Sequence, residues 1–333
     1  MNIRIIKAGV LDTIQDMGRY GWQHLGVNPG GAMDKLSAQV ANILVGNDGN
    51  EAVFELHFPA SSFFFEQPAL IALAGADFSA SINGDEVPLL HPIVVSKYSI
   101  LQFHGSHKGA RAYLAVHGGL NIEKWLGSYS TNLKSELGGY KGRALQKDDE
   151  ISFNSTENLC SVIGKKEFIV LPWKADIAWE HAETNSIFAL PGNEYNQLTE
   201  NSKDFFCQQD YSISGHSDRM GYQLISSPLE KINNEELVSS GVSFGTLQLL
   251  PGGQLILLMA DHQTTGGYSR IAHAITAHHH KLAQMKPGDT IRFQLTDLST
   301  AENLLVKQQQ HLLQLQNACK FRLQEYLDAH NRS

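Results

Sequence analysis

The feature that most constrains this chain is the shortness of its apolar runs and the regularity with which glycine ends them. Residues 68–74 form one such run, closed by Gly75, and residues 111–116 form another, closed by Gly118 and Gly119. Residues 79–88 carry Asn83-Gly84, a dipeptide that readily supplies two consecutive positive φ values to a two-residue hairpin. Residues 248–260 hold two apolar segments around Pro251-Gly252-Gly253, a second hairpin signal. Runs this short, turned roughly every eight to twelve residues, bury one face by pairing with neighbours. They favour a mainly β protein, barrel or sandwich, over alternating strand and helix units.

Helices are few. Residues 34–44 place Leu36, Val40, Ile43 and Leu44 on one face, with Asp34 as N-cap and Gly46 just past the end. Near the C-terminus, Ser299 and Glu302 read as a capping box. Leu304, Leu305, Leu312, Leu315, Cys319, Leu323 and Tyr326 then recur at helical steps, which predicts an amphipathic helix packed on its own domain.

An internal echo suggests two related β-domains. Gly18-Arg19-Tyr20-Gly21-Trp22 resembles Asp218-Arg219-Met220-Gly221-Tyr222, and residues 147–153 resemble residues 286–293. The reading is an N-terminal domain over 1–155 and a C-terminal domain over 165–333 that includes the terminal helix. The joint falls near 154–165, where Ser, Thr and Asn cluster.

Composition narrows the partners. Charged residues make up only 18%, the formal charge is −8, and no basic stripe with interleaved aromatics occurs, which argues against nucleic acid. No apolar stretch approaches the ~20 residues that span a bilayer, so no membrane partner is expected. The opening residues alternate like a strand rather than a secretion signal, and Cys160, Cys207 and Cys319 form no paired motif. A reduced, cytoplasmic setting follows.

Four glycine-rich segments carry charged or amide side chains, which lets a ligand approach the backbone while polar groups fix its orientation. They are residues 12–19 running on to 26–34, residues 126–131 continuing to 138–143, residues 214–222, and residues 259–268. Taken together, and followed by Gln284-Met285-Lys286-Pro287-Gly288-Asp289, they resemble the family that unites the 5-oxoprolinase C subunit, KipA-like proteins, the second subunit of allophanate hydrolase and the carboxyltransferase domain of urea carboxylases. The match runs from about Ile5 to Phe293. Two positions depart from it: His262 and Gln223 stand where arginine is expected, and neither replaces a bidentate guanidinium.

The resemblance implies two cyclophilin-like β-barrel domains. It also implies the KipI-like B subunit and the A subunit of 5-oxoprolinase as partners, and ATP-dependent opening of the 5-oxoproline lactam to glutamate. Two alternatives stay open: a biotin-dependent carboxyltransferase unit, or a non-enzymatic KipA-like antagonist of a KipI-like kinase inhibitor. No G-x-x-x-x-G-K-[ST] loop is present, so ATP with its Mg is expected on, or shared with, partner subunits. The chain is expected to be inactive alone.

Lactam opening needs donors for oxyanion charge and a group to orient water. Arg19, Arg143 and Arg219 are candidate anion donors, Arg143 for substrate. Asp16, Asp218 and Asp261 are candidate base or orienting carboxylates. Tyr222, Gln263, Thr264 and Tyr268 are candidates for binding the substrate, the last three through its amide edge. The competing reading is that these residues tie their own turns together. His278, His279 and His280 read as surface histidines, with no metal expected.

Overall fold

Short apolar runs become paired strands throughout the computed structural model, which describes every residue except 1, 155–158, 178–185, 234–236 and 332–333. The protein is mainly β, with a closed barrel and a long C-terminal helix. The chain groups into two compact units that interleave in sequence. One comprises Met1–Gly18, Asp34–His181 and Gln310–Ser333, and the other Arg19–Met33 and Ala182–Gln309. The joint expected near 154–165 lies partly outside the described residues, and Leu159–Ile163 forms a short helix within the first unit.

The first unit holds two six-stranded sheets. In one the order is Glu150–Ser152, Asn2–Lys7, Ser62–Phe65, Ile100–Phe103, Ala80–Ile82 and Asp85–Glu86. In the other it is Phe168–Val170, Pro92–Val95, Ala69–Asp77, Lys108–Val116, Val53–Leu56 and Thr13–Gln15. Ile3, Ile5 and Phe63 from the first sheet pack with Phe54, Ile71 and Leu114 from the second in one fully buried core. Each such side chain contributes roughly 1.5–3 kcal/mol. The Asn83-Gly84 hairpin forms as expected: Ile82 faces Asp85 across a turn with φ of 54° and 100°. Helix α1, Lys35–Leu44, packs on Lys108–Val116 and Ala69–Asp77, and the Asp34 carboxylate accepts from Ser37 N at 2.9 Å as its N-cap.

The second unit is a closed seven-stranded barrel ordered Ser186–Pro191, Ser269–Ala274, Thr246–Leu249, Leu255–Leu258, Gly221–Ile225, Tyr211–Ile213 and Thr290–Leu295. Ser186–Pro191 closes it by pairing in parallel with Thr290–Leu295, which leaves no open edge on the barrel. Leu247, Leu249, Leu255, Leu257 and Phe293 fill its interior, with Phe206 and Phe293 stacked at 5.4 Å.

Two local expectations are corrected. The C-terminal helix runs Leu298–Asn331, and its cap is Asp297, which accepts from Thr300 N at 2.8 Å, rather than the box at Ser299 and Glu302. An aspartate just before the first turn satisfies the exposed amide earlier than Ser299 can. Residues 298–309 belong to the second unit and 310–331 to the first, where Leu312, Cys319, Leu323 and Leu327 are buried and Tyr326 meets Trp173 edge to face at 6.0 Å.

The histidines at 278 and 280 are not on the surface; they are 8% and 7% exposed. Phe188 N donates to His278 Nδ1 at 3.0 Å, and His279 stacks on Phe244 at 4.2 Å. Burial first, then Lys281 and the flanking histidines, push the His278 imidazole down to about 3. The turn is packed as aromatic core, which hydropathy alone does not foresee for histidine. The three cysteines are free thiols. Among the described residues no helix is long and apolar enough to cross a membrane.

Candidate functional site

In the first unit, the loop after Thr13–Gln15 is anchored through Asp16, which is 5% exposed. Its carboxylate accepts from Ser128 Oγ at 2.6 Å, Tyr129 N at 2.7 Å, Gly18 N at 2.8 Å and the Ser130 hydroxyl. Both oxygens are therefore engaged, and the group binds the first glycine-rich segment to the second. Proton abstraction by Asp16 would require those bonds to be given up. Arg143 forms a two-pronged pair with Asp149, both contacts at 2.7 Å. Burial raises the Asp149 carboxyl, but hydrogen bonds from Arg143 and Gln146 N outweigh it and hold the group below its usual range.

In the second unit, the turn before Gly221–Ile225 presents Asp218, Arg219 and Met220. Asp218 is exposed, and its Oδ1 accepts from Met220 N at 2.8 Å and Gly221 N at 3.2 Å, so it closes its own turn. Arg219 is 6% exposed and turns the other way. Its Nε meets Asp261 Oδ2 at 2.7 Å, and its Nη2 meets Asp261 Oδ1 at 3.1 Å and Gly31 O at 2.7 Å. Asn28 Nδ2 donates to Asp261 O at 3.1 Å, and Arg19 N donates to Pro29 O at 2.7 Å. Gly30 has φ 60°; the position its Cβ would occupy lies 3.2 Å from Arg19 Nη1 and 3.5 Å from Asp261 Oδ1. Arg19, itself 1% exposed, thus gathers with Arg219, Asp261 and residues 28–31 in one polar cluster.

The remaining candidates separate from that cluster. Tyr222 is 2% exposed within the barrel core, its hydroxyl directed at Met285 O at 3.4 Å. His262, at the first departing position, is buried with Nδ1 2.6 Å from Gln263 O, whereas Gln223, at the second, is exposed on its strand. Gln263 Nε2 donates to Gln248 Oε1 at 3.2 Å. Thr264 O accepts from Val242 N at 3.2 Å, beside the small ladder that joins Ser240–Gly241 to Thr265–Gly266. Tyr268 is half exposed and lines a cleft of about 880 Å³ with Gly267, Lys231, Leu237, Leu250 and Pro251. That volume suits a small-molecule ligand.

Sequence reasoning missed Gln248 and Glu194. Glu194 receives Arg270 Nη2 at 2.9 Å, Nε at 3.1 Å and the Arg270 backbone N at 2.8 Å, and so pins the chain beside the barrel. The available signal for Gln248 was a lone amide inside Leu247-Gln248-Leu249-Leu250.

The second unit is thus a closed β-barrel whose glycine-rich loops carry an arginine–aspartate clamp. The chain belongs to the family of the carboxyltransferase domain, subdomain A and B, which it matches over residues 25–295. It is 34% identical over 313 residues to the 5-oxoprolinase C subunit of Escherichia coli (strain K12), covering 94% of this chain and 97% of that one. It is equally similar, 34% over 313 residues, to the 5-oxoprolinase C subunit of Haemophilus influenzae, with the same coverage. Among solved structures, the Kluyveromyces lactis urea carboxylase superposes with a TM-score of 0.83 at 25% identity, covering 94% of this chain and 29% of that one.

Proposed function

We propose that the chain acts as the C subunit of an ATP-dependent 5-oxoprolinase, helping the A and B subunits open 5-oxoproline to glutamate in the cytoplasm. The observation that carries this reading is the end-to-end likeness to the 5-oxoprolinase C subunit, over 94% of this chain and 97% of the relative. The likeness to urea carboxylase involves only 29% of that longer chain.

Opening a lactam builds negative charge on the carbonyl oxygen and requires the ring to be held by its amide edge. In this reading Gln263, Thr264 and Tyr268 hold the substrate. Arg219 and Asp261 satisfy one another and hold residues 28–31, with Arg19 beside them. Asp16 and Arg143 fix the loops of the first unit, Asp218 shapes its turn, and Tyr222 packs the barrel.

The glycine-rich stretch 138–142 does not fit a phosphate cradle. A side chain at Gly139 would run into Thr131 and one at Gly142 into the Glu136 backbone, so these glycines serve close packing of the chain on itself. In this reading ATP and its Mg are bound by, or shared with, the partner subunits. A second reading, a carboxyltransferase unit serving a biotin-dependent urea carboxylase system, is supported by the TM-score of 0.83.

Co-expression with candidate A and B subunits, followed by size-exclusion chromatography and an assay for ATP-dependent glutamate release from 5-oxoproline, tests the proposal. The expected result is a stable complex that turns over and a lone chain that does not. Separate elution at micromolar concentration, or carboxylation of urea supported by a biotin carrier with no glutamate formed, would overturn it.

A further inference from the structure

The barrel strand Thr246–Leu249 sends Leu247 and Leu249 into the core, so alternation places Thr246 and Gln248 on its other face. Gln248 is 2% exposed. Its Oε1 accepts from Gln263 Nε2, while its own Nε2 is buried without a hydrogen-bond partner among the described residues. Buried amide donors are almost always paired, because leaving one unmet forfeits its hydration with no return. Directly above lies Gly266, where any side chain would run into Gln248 Nε2. The next two residues, Gly267 and Tyr268, line the cleft of about 880 Å³. The loop 264–268 is thus a thin wall with the cleft on one side and a donor lacking an acceptor on the other. The adjacent Gly266 and Gly267 give that wall the backbone freedom to shift.

Gln263 spends its NH₂ on Gln248, which orients the pair. Gln248 then offers an N–H donor and Gln263 a carbonyl acceptor, side by side. A cyclic amide or cyclic urea presents the complementary edge, a C=O next to an N–H constrained cis by the ring. We propose that Gln248 is a substrate-binding residue: its Nε2 donates to the carbonyl oxygen of a cyclic amide or urea entering from the Tyr268 cleft, while Gln263 Oε1 accepts the ring N–H. Identification of that ring as 5-oxoproline rests on the function proposed above. The recognition of a cis amide edge does not.

The test uses the chain in complex with its partners for turnover, and the same preparation for calorimetric binding of 5-oxoproline, 2-imidazolidinone and L-proline, which lacks the ring carbonyl. Gln248→Met keeps the approximate shape and removes the donor, together with the acceptor that orients Gln263. Gly266→Ala leaves residue 248 intact but displaces its amide. Both variants are expected to weaken binding of the two carbonyl-bearing rings about tenfold or more, the scale of one buried hydrogen bond, and to raise KM with kcat little changed. The Tm of Gln248→Met is expected to lie near wild type, because removal of the unmet donor offsets the loss of the acceptor for Gln263 Nε2.

The proposal is overturned if either variant binds both rings within twofold of the wild type. It is equally overturned if wild type binds L-proline as well as 5-oxoproline, if neither ring binds at millimolar concentration, or if the loss in affinity follows a fall in Tm in both variants. Failure to release glutamate in any reconstitution would sink the oxoprolinase reading alone, since the calorimetric comparison does not depend on turnover.

Discussion

Asp261→Asn separates two roles for the carboxylate that meets Arg219. The wild-type pair has contacts of 2.7 and 3.1 Å, with side-chain exposures of 18% for Asp261 and 6% for Arg219. The amide keeps the shape and one acceptor, but it removes the charge and turns an NH₂ toward a buried guanidinium. Two bonds between opposite charges become at most one, from the charged guanidinium to a neutral amide oxygen, while the Gly31 carbonyl still accepts from Nη2. The cost is about 2–4 kcal/mol, discounted from a fully buried pair because Asp261 retains some contact with solvent. For a unit of this size a kilocalorie corresponds to roughly 2–4 °C, so Tm should fall on the order of 5–15 °C. Thermal unfolding by circular dichroism reads the first quantity. Glutamate release per folded complex, measured well below the variant's Tm, reads the second and is expected to stay within about tenfold of wild type. A variant with wild-type Tm and turnover reduced a hundredfold or more would refute the positioning role and make Asp261 a base.

Two further expectations concern pH. Burial raises the Asp12 carboxyl to about 6, against opposing hydrogen bonds from His57 N and from the backbone and hydroxyl of Ser61. With an unfolded value of ~3.9, its stabilising contribution is complete below about pH 4 and is lost as pH rises to 6, roughly 3 kcal/mol in all. Urea denaturation of wild type and Asp12→Asn at pH 4 and 7 should show that much narrowing in favour of the variant; parallel pH profiles would count against it. His278 behaves oppositely: held down to about 3 in the fold, it contributes stability above pH 6.5 that is lost as acid charges the unfolded state, roughly 2 kcal/mol by pH 5. His278→Gln, which can still accept from Phe188 N, should flatten the acid limb of the stability profile, and an unchanged acid limb would exclude this origin.

What could be read from the residues was what depends on a few neighbours in sequence. The Asn83-Gly84 hairpin, the Asp34 cap of α1 and the two strands around Pro251-Gly252-Gly253 follow from turn geometry and alternation, which act within a few residues. The four glycine-rich segments also stood out as places where polar groups meet a permissive backbone. Their assignments to partners did not, because those are settled by chain closure. Asp16 is held by Ser130, 114 residues away, and Arg219 by Asp261, 42 residues away. Residues 19–33 leave their sequence neighbours to join the barrel unit, while residues 310–333 join the first unit, since Leu312, Cys319 and Leu323 find their apolar contacts there.

The same reasoning explains the histidines and Gln248. Side-chain polarity predicts exposure, yet His278 is buried against Phe188 and Gln248 is sealed beneath Gly266. Hydrophobic pattern and turn chemistry are short-range and therefore written in the residues themselves. The partner of each buried polar group is chosen only when the barrel closes and decides which distant loop covers it.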